Sequence, residues 1–271
     1  MLIDLSSKRF ILPIVGSLIM IALASCSGGR VTGTITVAGS TTVQPVAERL
    51  ATEFMKKQPG ISITIQGGGT SVGIKSAANG TVDIGAASRE IKPDEPKLVT
   101  HLLARDGIAL IIHPNNPVIG LTRDRVVRIF AGEITNWSQV GGSSGSITVV
   151  AREEGSGTRT AFEEMVMGKT LITNKAILQP SNGALRTSVS STPLSIGFIS
   201  LGYIDKTVKA LAIDGVAPTV DNIKSGKYSI VRPLYFLTKE QPTGLVKEFI
   251  DYCLSNEGQK IIEAEGYLSA K

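Results

Sequence analysis

Hydroxyl residues set in glycine-rich turns recur along this sequence where a strand pattern gives way to a helix pattern. Thr41 and Thr42 follow Gly39-Ser40, Thr70 and Ser71 follow Gly67-Gly68-Gly69, and Ser156-Gly157-Thr158 follows Gly155. Ser88 comes just after the short buried-looking strand Val82 to Ala86, with Ala87 between them. A helix that begins in such a turn leaves backbone N–H groups unpaired and presents the positive end of its dipole, which makes a nest for a small anion. Any one of these turns is explained by ordinary helix capping. Their repetition points to a tetrahedral oxyanion, whose four oxygens need many donors at once. Arg152 adds a planar fork suited to two such oxygens, although taken alone it reads equally well as a surface residue paired with Glu153 or Glu154.

Asp106 carries the opposite chemistry. A carboxylate beside a dianion is unfavourable unless it accepts a proton from the ligand. Phosphate still holds a proton near neutral pH and sulfate does not, so an acceptor there selects the protonated ion. The plain alternative is that Asp106 caps a turn before Gly107. Ser156 invites a second comparison, with a hydrolase nucleophile. Gly155-Ser156-Gly157 lacks the spacing of a nucleophile elbow, and neither His101 nor His113 has an evident route to it, so no catalytic residue and no enzyme activity are expected.

The elements that must position these residues alternate between strand and helix. Gly33 to Ala38 reads as a strand, and Val43, Val46, Ala47, Leu50, Ala51 and Phe54 continue at helical spacing. Ile61 to Ile65 is a second strand, followed by a short helix closed by Asn79-Gly80. Ile108 to Ile112 is the strongest core strand, stopped by His113-Pro114. Thr122 caps a helix, Ile147 to Ala151 is a strand, and Phe162, Met165 and Val166 mark the helix after Ser156. A short helix is expected around Ala184 to Val189 and a strand at Ile196 to Ile199. Arg232 to Leu237 forms a second crossing strand, Thr243 caps a helix through Leu254, and Asn256 starts the last. The class is α/β. In such sheets ligands bind beyond the carboxyl ends of the strands, where all these turns lie.

The 271 residues are 42% apolar and 19% charged, enough for substantial cores. Lys8 and Arg9 precede the apolar run Phe10 to Ala24, so residues 1–25 read as a signal peptide. Leu23-Ala24-Ser25-Cys26 matches the lipobox of a prokaryotic lipoprotein, in which Cys26 is lipidated and anchors the chain, with 26–33 as a polar tether. Cleavage would remove Asp4, Lys8 and Arg9 and leave 26 basic and 22 acidic residues, a net of +4 from the +5 of the whole chain. The basic residues are scattered without interleaved aromatics, so nucleic acid is not an expected partner. Cys253 sits on an apolar helical face with Leu245, Val246, Phe249 and Ile250 and reads as a small buried hydrophobe. No cofactor is called for, and paired-cysteine spacing for zinc is absent from the sequence.

Three segments carry a family resemblance: Ala38-Gly39-Ser40-Thr41-Thr42-Val43-Gln44-Pro45, Val82-Asp83-Ile84-Gly85-Ala86-Ala87-Ser88-Arg89, and Arg152-Glu153-Glu154-Gly155-Ser156-Gly157-Thr158-Arg159. From about Thr34 to Ala264 the chain resembles the periplasmic or lipid-anchored phosphate-binding proteins of ABC-type phosphate uptake systems, in their shorter subgroup. The resemblance implies a type II periplasmic-binding-protein fold, two α/β lobes joined by a two-strand hinge. Residues 34–108 and 235–271 would form the first lobe and 109–234 the second. It places phosphate on Thr41, the backbone N–H of Thr42, and Thr70 of the first lobe, and on Arg152, Ser156, Gly157 and Thr158 of the second. Ser71 and Ser88 complete the candidate set. Some members have an aspartate, which takes the phosphate proton, at the position of Ser88. Here either Asp106 supplies that acceptor, the preferred reading, or discrimination against sulfate is weaker.

The expected function is extracytoplasmic capture of inorganic phosphate by a membrane-anchored monomer. Delivery would be to the transmembrane subunits of an ABC permease driven by a cytoplasmic ATPase. Binding of sulfate, molybdate or tungstate, or a non-transport phosphate sensor or surface adhesin of the same fold, are the alternatives.

Overall fold

The computed structural model describes residues Thr32–Lys271. The signal peptide, Cys26 and the tether up to Val31 lie outside the described residues. No helix among the described residues is long and apolar enough to cross a membrane.

The first half of the chain runs β1 (Gly33–Gly39), α1 (Gln44–Lys57), β2 (Ile61–Gln66), α2 (Thr70–Asn79), β3 (Ile84–Ala87), β4 (Val99–Ile112), β5 (Gly120–Leu121), α3 (Arg123–Ala131) and β6 (Thr148–Arg152). The second half runs α4 (Gly157–Phe162), β7 (Ile177–Gln179), α5 (Asn182–Ser191), β8 (Ser195–Ser200), β9 (Lys209–Ala210), β10 (Ala212–Ile213), α6 (Val220–Lys224), β11 (Val231–Thr238), α7 (Gly244–Leu254), α8 (Asn256–Ala264) and β12 (Leu268–Ser269).

The main sheet follows the order β2-β1-β3-β11-β4-β8-β6-β7. Both ends are parallel: β1 runs with β2 and β3, and β6 runs with β7 and β8. Between them β11 and β4 are antiparallel to each other, and each is antiparallel to its outer neighbour. Parallel strands need crossover helices, so each end is a compact α/β layer.

Each end has its own apolar core. One gathers Ile35, Val37, Leu50, Phe54, Ile84 and Phe249; the other gathers Phe130, Trp137, Phe162, Ile196, Phe198 and Leu211. Aromatic contacts hold each together: Phe54 meets Phe249 at a centroid distance of 5.3 Å, and Phe162 stacks on Phe198 at 4.1 Å. Strand β4 is 14 residues long, and an extended strand of that length reaches roughly 45 Å. It can therefore serve both cores. Leu103 and Ala104 enter the first, Ile108, Leu110 and Ile112 the second. On β11, Leu234 and Phe236 belong to the first core, while Val231 packs on the second. The register puts Arg232 opposite Asp106, at the place where each strand passes from one core to the other.

Local chemistry explains the element ends. Helix α1 has Pro in its first turn, where a missing N–H costs nothing, and Lys56 and Lys57 at its negative end. Thr122 Oγ1 caps α3 by accepting from Arg125 N, and Gly132 ends it at φ 81°. The helix expected after Ser156 is only six residues of α-helix, and a π-helical turn, Glu163–Met167, carries Val166 on. Thr243 precedes α7, but its side chain makes no capping bond. Cys253 is buried among apolar neighbours, and burial pushes its thiol well up.

Candidate anion site

The turns singled out in the sequence follow the carboxyl ends of parallel strands. Ser40-Thr41-Thr42 comes after β1, Thr70 opens α2 after β2, and Ser88 comes after β3. From the other end of the sheet, Arg152 closes β6 and Ser156-Gly157-Thr158 starts α4. All of them except Ser71 are buried; Thr70, Ser88, Arg152, Ser156 and Thr158 are each 1% exposed or less. Burying this many polar groups is unfavourable unless they are hydrogen-bonded.

They bond to one another across the two ends. Thr42 Oγ1 lies 3.2 Å from Thr158 Oγ1. Thr70 Oγ1 accepts from Ser88 N at 3.0 Å and lies 3.3 Å from Ser88 Oγ. Gly157 packs so closely that an added Cβ would stand 2.4 Å from Thr70 Oγ1 and 2.5 Å from Ser88 Oγ. Ser71 sits at the seam: its N–H donates to Gly155 O at 3.1 Å, and its hydroxyl accepts from Arg89 Nη2 at 3.4 Å. Two donors take caps in this arrangement. Thr42 N donates to Ser40 Oγ at 3.2 Å, and Ser156 Oγ accepts from Arg159 N at 3.3 Å, leaving its own hydrogen free to donate.

Two further side chains complete the cluster. Arg232, on β11, donates from Nη2 to Thr42 Oγ1 at 2.9 Å and from Nη1 to Ser88 Oγ at 3.4 Å. Asn182, which opens α5 beyond β7, donates from Nδ2 to Thr42 Oγ1 at 2.9 Å, while its Oδ1 accepts from Ser200 N at 3.2 Å. That second bond fixes the amide orientation. Thr42 Oγ1 thus accepts two N–H bonds and has its single hydrogen to give to Thr158.

Both residues left a trace in the sequence. Asn182 stands in a polar Ser-Asn-Gly turn after an extended stretch, as the other turns do. Arg232 is the one charge in β11, and Asp106 stands beside Arg105 just before the apolar run of β4. Only the antiparallel register shows that they meet.

Asp106 has partners within the crown. Its Oδ2 accepts from Arg232 Nη2 at 2.9 Å and Nε at 3.1 Å, and its Oδ1 accepts from Ser200 Oγ at 2.9 Å. Neither side chain of the ion pair is exposed. Burial pushes the Asp106 carboxyl up and the Arg232 guanidinium down, and the charge of each opposes the shift of the other. These three donors on its oxygens make Asp106 the group that holds Arg232 in place.

Arg152 is held by carbonyls. Its Nε donates to Gln179 O at 3.0 Å, and its Nη2 donates to Pro180 O at 3.0 Å and Glu153 Oε1 at 2.9 Å. It is buried, not at the surface, and Glu153 is its carboxylate partner. Two phenols close the layer: Tyr203 donates to Thr41 O at 2.6 Å and Tyr267 to Thr42 O at 2.9 Å. Burial pushes Tyr203 up to about 12 and Tyr267 higher still, so both remain neutral donors. The histidines bond elsewhere, His101 Nε2 with Thr238 Oγ1 and His113 Nδ1 with Asn115 N.

The PBP superfamily domain model matches residues 24–257. A phosphate-binding protein PstS of Bacillus subtilis is 34% identical over 245 residues, covering 88% of this chain and 81% of that protein. The chain belongs to the PstS family of phosphate-binding proteins. Its PstS relative in Borreliella burgdorferi is 31% identical, with 88% of this chain and 90% of that one covered. Among solved structures, a phosphate ABC transporter substrate-binding protein from Clostridium perfringens with bound phosphate shares 41% identity. The TM-score is 0.85, over 88% of this chain and 100% of that one. An ABC-type phosphate transport receptor from Vibrio cholerae shares 37% identity at a TM-score of 0.72, over 86% and 99%. The α/β architecture is thus the type II periplasmic-binding-protein fold expected from the sequence, with the candidate turns of a PstS protein at its strand ends.

Proposed function

We propose that this protein captures inorganic phosphate outside the cytoplasmic membrane and delivers it to an ABC-type import permease. The single observation behind this reading is the buried crown of hydroxyls and arginines between the two apolar cores. Thr41, Thr42, Thr70 and Ser88 come from one side, and Arg152, Ser156, Gly157, Thr158 and Asn182 from the other, with Arg232 rising from the crossing strands. Such a set of donors, in a site closed to water, suits a tetrahedral oxyanion. The names of the relatives favour phosphate among such ions.

The two cores act as lobes, about 34–108 with 235–271 and 109–234, and β4 with β11 is their hinge. Phosphate favours the closed form because donors from both lobes meet only there. Ser71 N to Gly155 O, Tyr203 to Thr41 O and Thr42 to Thr158 are contacts of that closed form. Ser71 serves as a latch at the rim. No bond of the ligand is broken in this function. Lipidation of Cys26 would keep the monomer at the membrane surface beside its permease.

Calorimetric titration of the purified protein with phosphate tests the reading. One tight site per chain is expected. Absence of phosphate binding, or binding of molybdate or tungstate in its place, would contradict it.

A further inference from the structure

The two strands that carry the Asp106–Arg232 pair have a second face. Side chains alternate along a strand, so the neighbours of these two residues point away from the crown. On β4 they are Arg105, which is exposed, and Gly107, which lies so close to α6 that an added Cβ would stand 2.5 Å from Ile223 Cδ1. On β11 the neighbour is Val231. A cavity of about 670 Å³ lies on that reverse face, within the size range of small-molecule sites. Ile223, Tyr228, Val231 and Leu268 line it and pack on the second core, so they give it an apolar floor. Arg105, Glu263 and Lys271, from segments of the first lobe, and Lys224 of α6 line it as well.

The charges around this cavity are unevenly answered. Lys224 Nζ lies 3.8 Å from Glu263 Oε1, and Lys271 Nζ donates to Asn256 Oδ1 at 2.7 Å. The Arg105 guanidinium has no hydrogen-bond or ion-pair partner among the described residues. Even with the α-carboxylate of Lys271 counted, three cations face two carboxylates. A guanidinium pairs best with a carboxylate, through two parallel N–H bonds, and an apolar floor suits a hydrocarbon body. We propose that this cavity is a second ligand site, for a small organic carboxylate with an apolar body, and that its occupant tightens phosphate binding at the crown. Bare phosphate has no apolar surface to bury here, so the two sites take different ligands. The coupling rests on the reading of this structure as the closed form of a phosphate-binding hinge. Parting the lobes at the crown swings the reverse-face walls together about β4 and β11, so the cavity keeps its full volume only while the crown is closed. A ligand that fills it favours closure, and two ligands that prefer the same state strengthen each other's binding.

The test is titration calorimetry with octanoate, run on protein already saturated with phosphate so that the crown is occupied. One octanoate per chain should bind, and Arg105→Gln should weaken it about tenfold or more. The phosphate affinity of Arg105→Gln without octanoate should match the parent, because Arg105 faces away from the crown. Octanol, which keeps the body and lacks the carboxylate, should not displace octanoate at equal concentration. In saturating octanoate the phosphate Kd of the parent should fall about fivefold or more, and that of Arg105→Gln should change less. Absence of octanoate binding, binding that Arg105→Gln leaves unaltered, or a phosphate Kd that octanoate leaves level or raises would overturn the proposal. A protein that takes octanoate through Arg105 but takes no phosphate would refute the phosphate reading, and the coupling with it, while supporting the reverse-face site.

Discussion

Gly157→Ala isolates the closing of the site from the folding of the chain. Gly157 begins α4, and its backbone does not need a glycine-only conformation, because its φ lies outside the left-handed region. Alanine favours a helix over glycine by up to about 1 kcal/mol, so the unliganded protein should keep or slightly raise its Tm. The added Cβ would stand 2.4 Å from Thr70 Oγ1, 2.5 Å from Ser88 Oγ and 3.1 Å from the Ser88 carbonyl carbon, all from the other side of the site. Ordinary contact begins at 3.4 Å, so the closed form must give way by close to an ångström. Overpacking of this size costs about 1–3 kcal/mol, which is a phosphate Kd weaker by about five- to 150-fold. Gly183→Ala is the matched control. It lies at the start of α5, also beside the site, and its nearest new neighbours would be 3.8 Å away. Calorimetry and thermal melts with and without phosphate give both readouts. If Gly157→Ala bound phosphate as tightly as the parent, the turn of α4 would not close on Thr70 and Ser88, and the argument would fall.

Asp106→Asn leaves Arg232 buried without its counter-ion, and should cost about 3–5 kcal/mol in urea unfolding. The phosphate-to-sulfate preference should not relax; a relaxed preference with unchanged stability would restore Asp106 as the proton acceptor. Tyr203→Phe removes one bond between the two sides. It should weaken phosphate by about two- to twelvefold with little change in unliganded Tm, and an unchanged Kd would mean that this bond is absent from the bound form. Asn182→Asp replaces a donor by a carboxylate beside the crown, so phosphate binding should fall by at least about a hundredfold; near-parental affinity would place the anion away from α5. Hydrogen bonds from Arg89 hold the Glu95 carboxyl below the usual range. That stability is present above the ordinary carboxylate pKa and is lost as pH falls through the lowered folded value. The urea midpoint of Glu95→Gln should therefore lie below the parent near pH 7 and converge with it at low pH, and a constant gap would contradict the pairing.

Local chemistry carried most of the fold and half of the site. Turns such as Ser40-Thr42, Gly67-Ser71 and Gly155-Thr158 declare themselves because a glycine, a hydroxyl and a helix start lie within a few residues of each other. Only Ile108 to Ile112 of β4 is legible as a strand, because its first half has neither a continuous apolar run nor strict alternation: Thr100-His101, Leu102-Leu103-Ala104 and Arg105-Asp106 come in blocks. The role of Arg232 depends on a contact 126 residues apart in the chain. Neither propensity nor spacing encodes such a distance; only strand register does. The same register sets Asp106 against Arg232, a partner that its place before Gly107 does not announce. Thr243 shows the opposite limit: it has the right type and place for a cap, yet its side chain makes no such bond.

A crystal structure of the phosphate complex tests the central claim most directly. Phosphate should lie between the Thr41-Thr42, Thr70 and Ser88 side and the Arg152, Ser156, Gly157 and Thr158 side. Arg232 should donate to it while still paired with Asp106. Phosphate bound elsewhere on the molecule, or bound here with Arg232 turned away, would contradict the account.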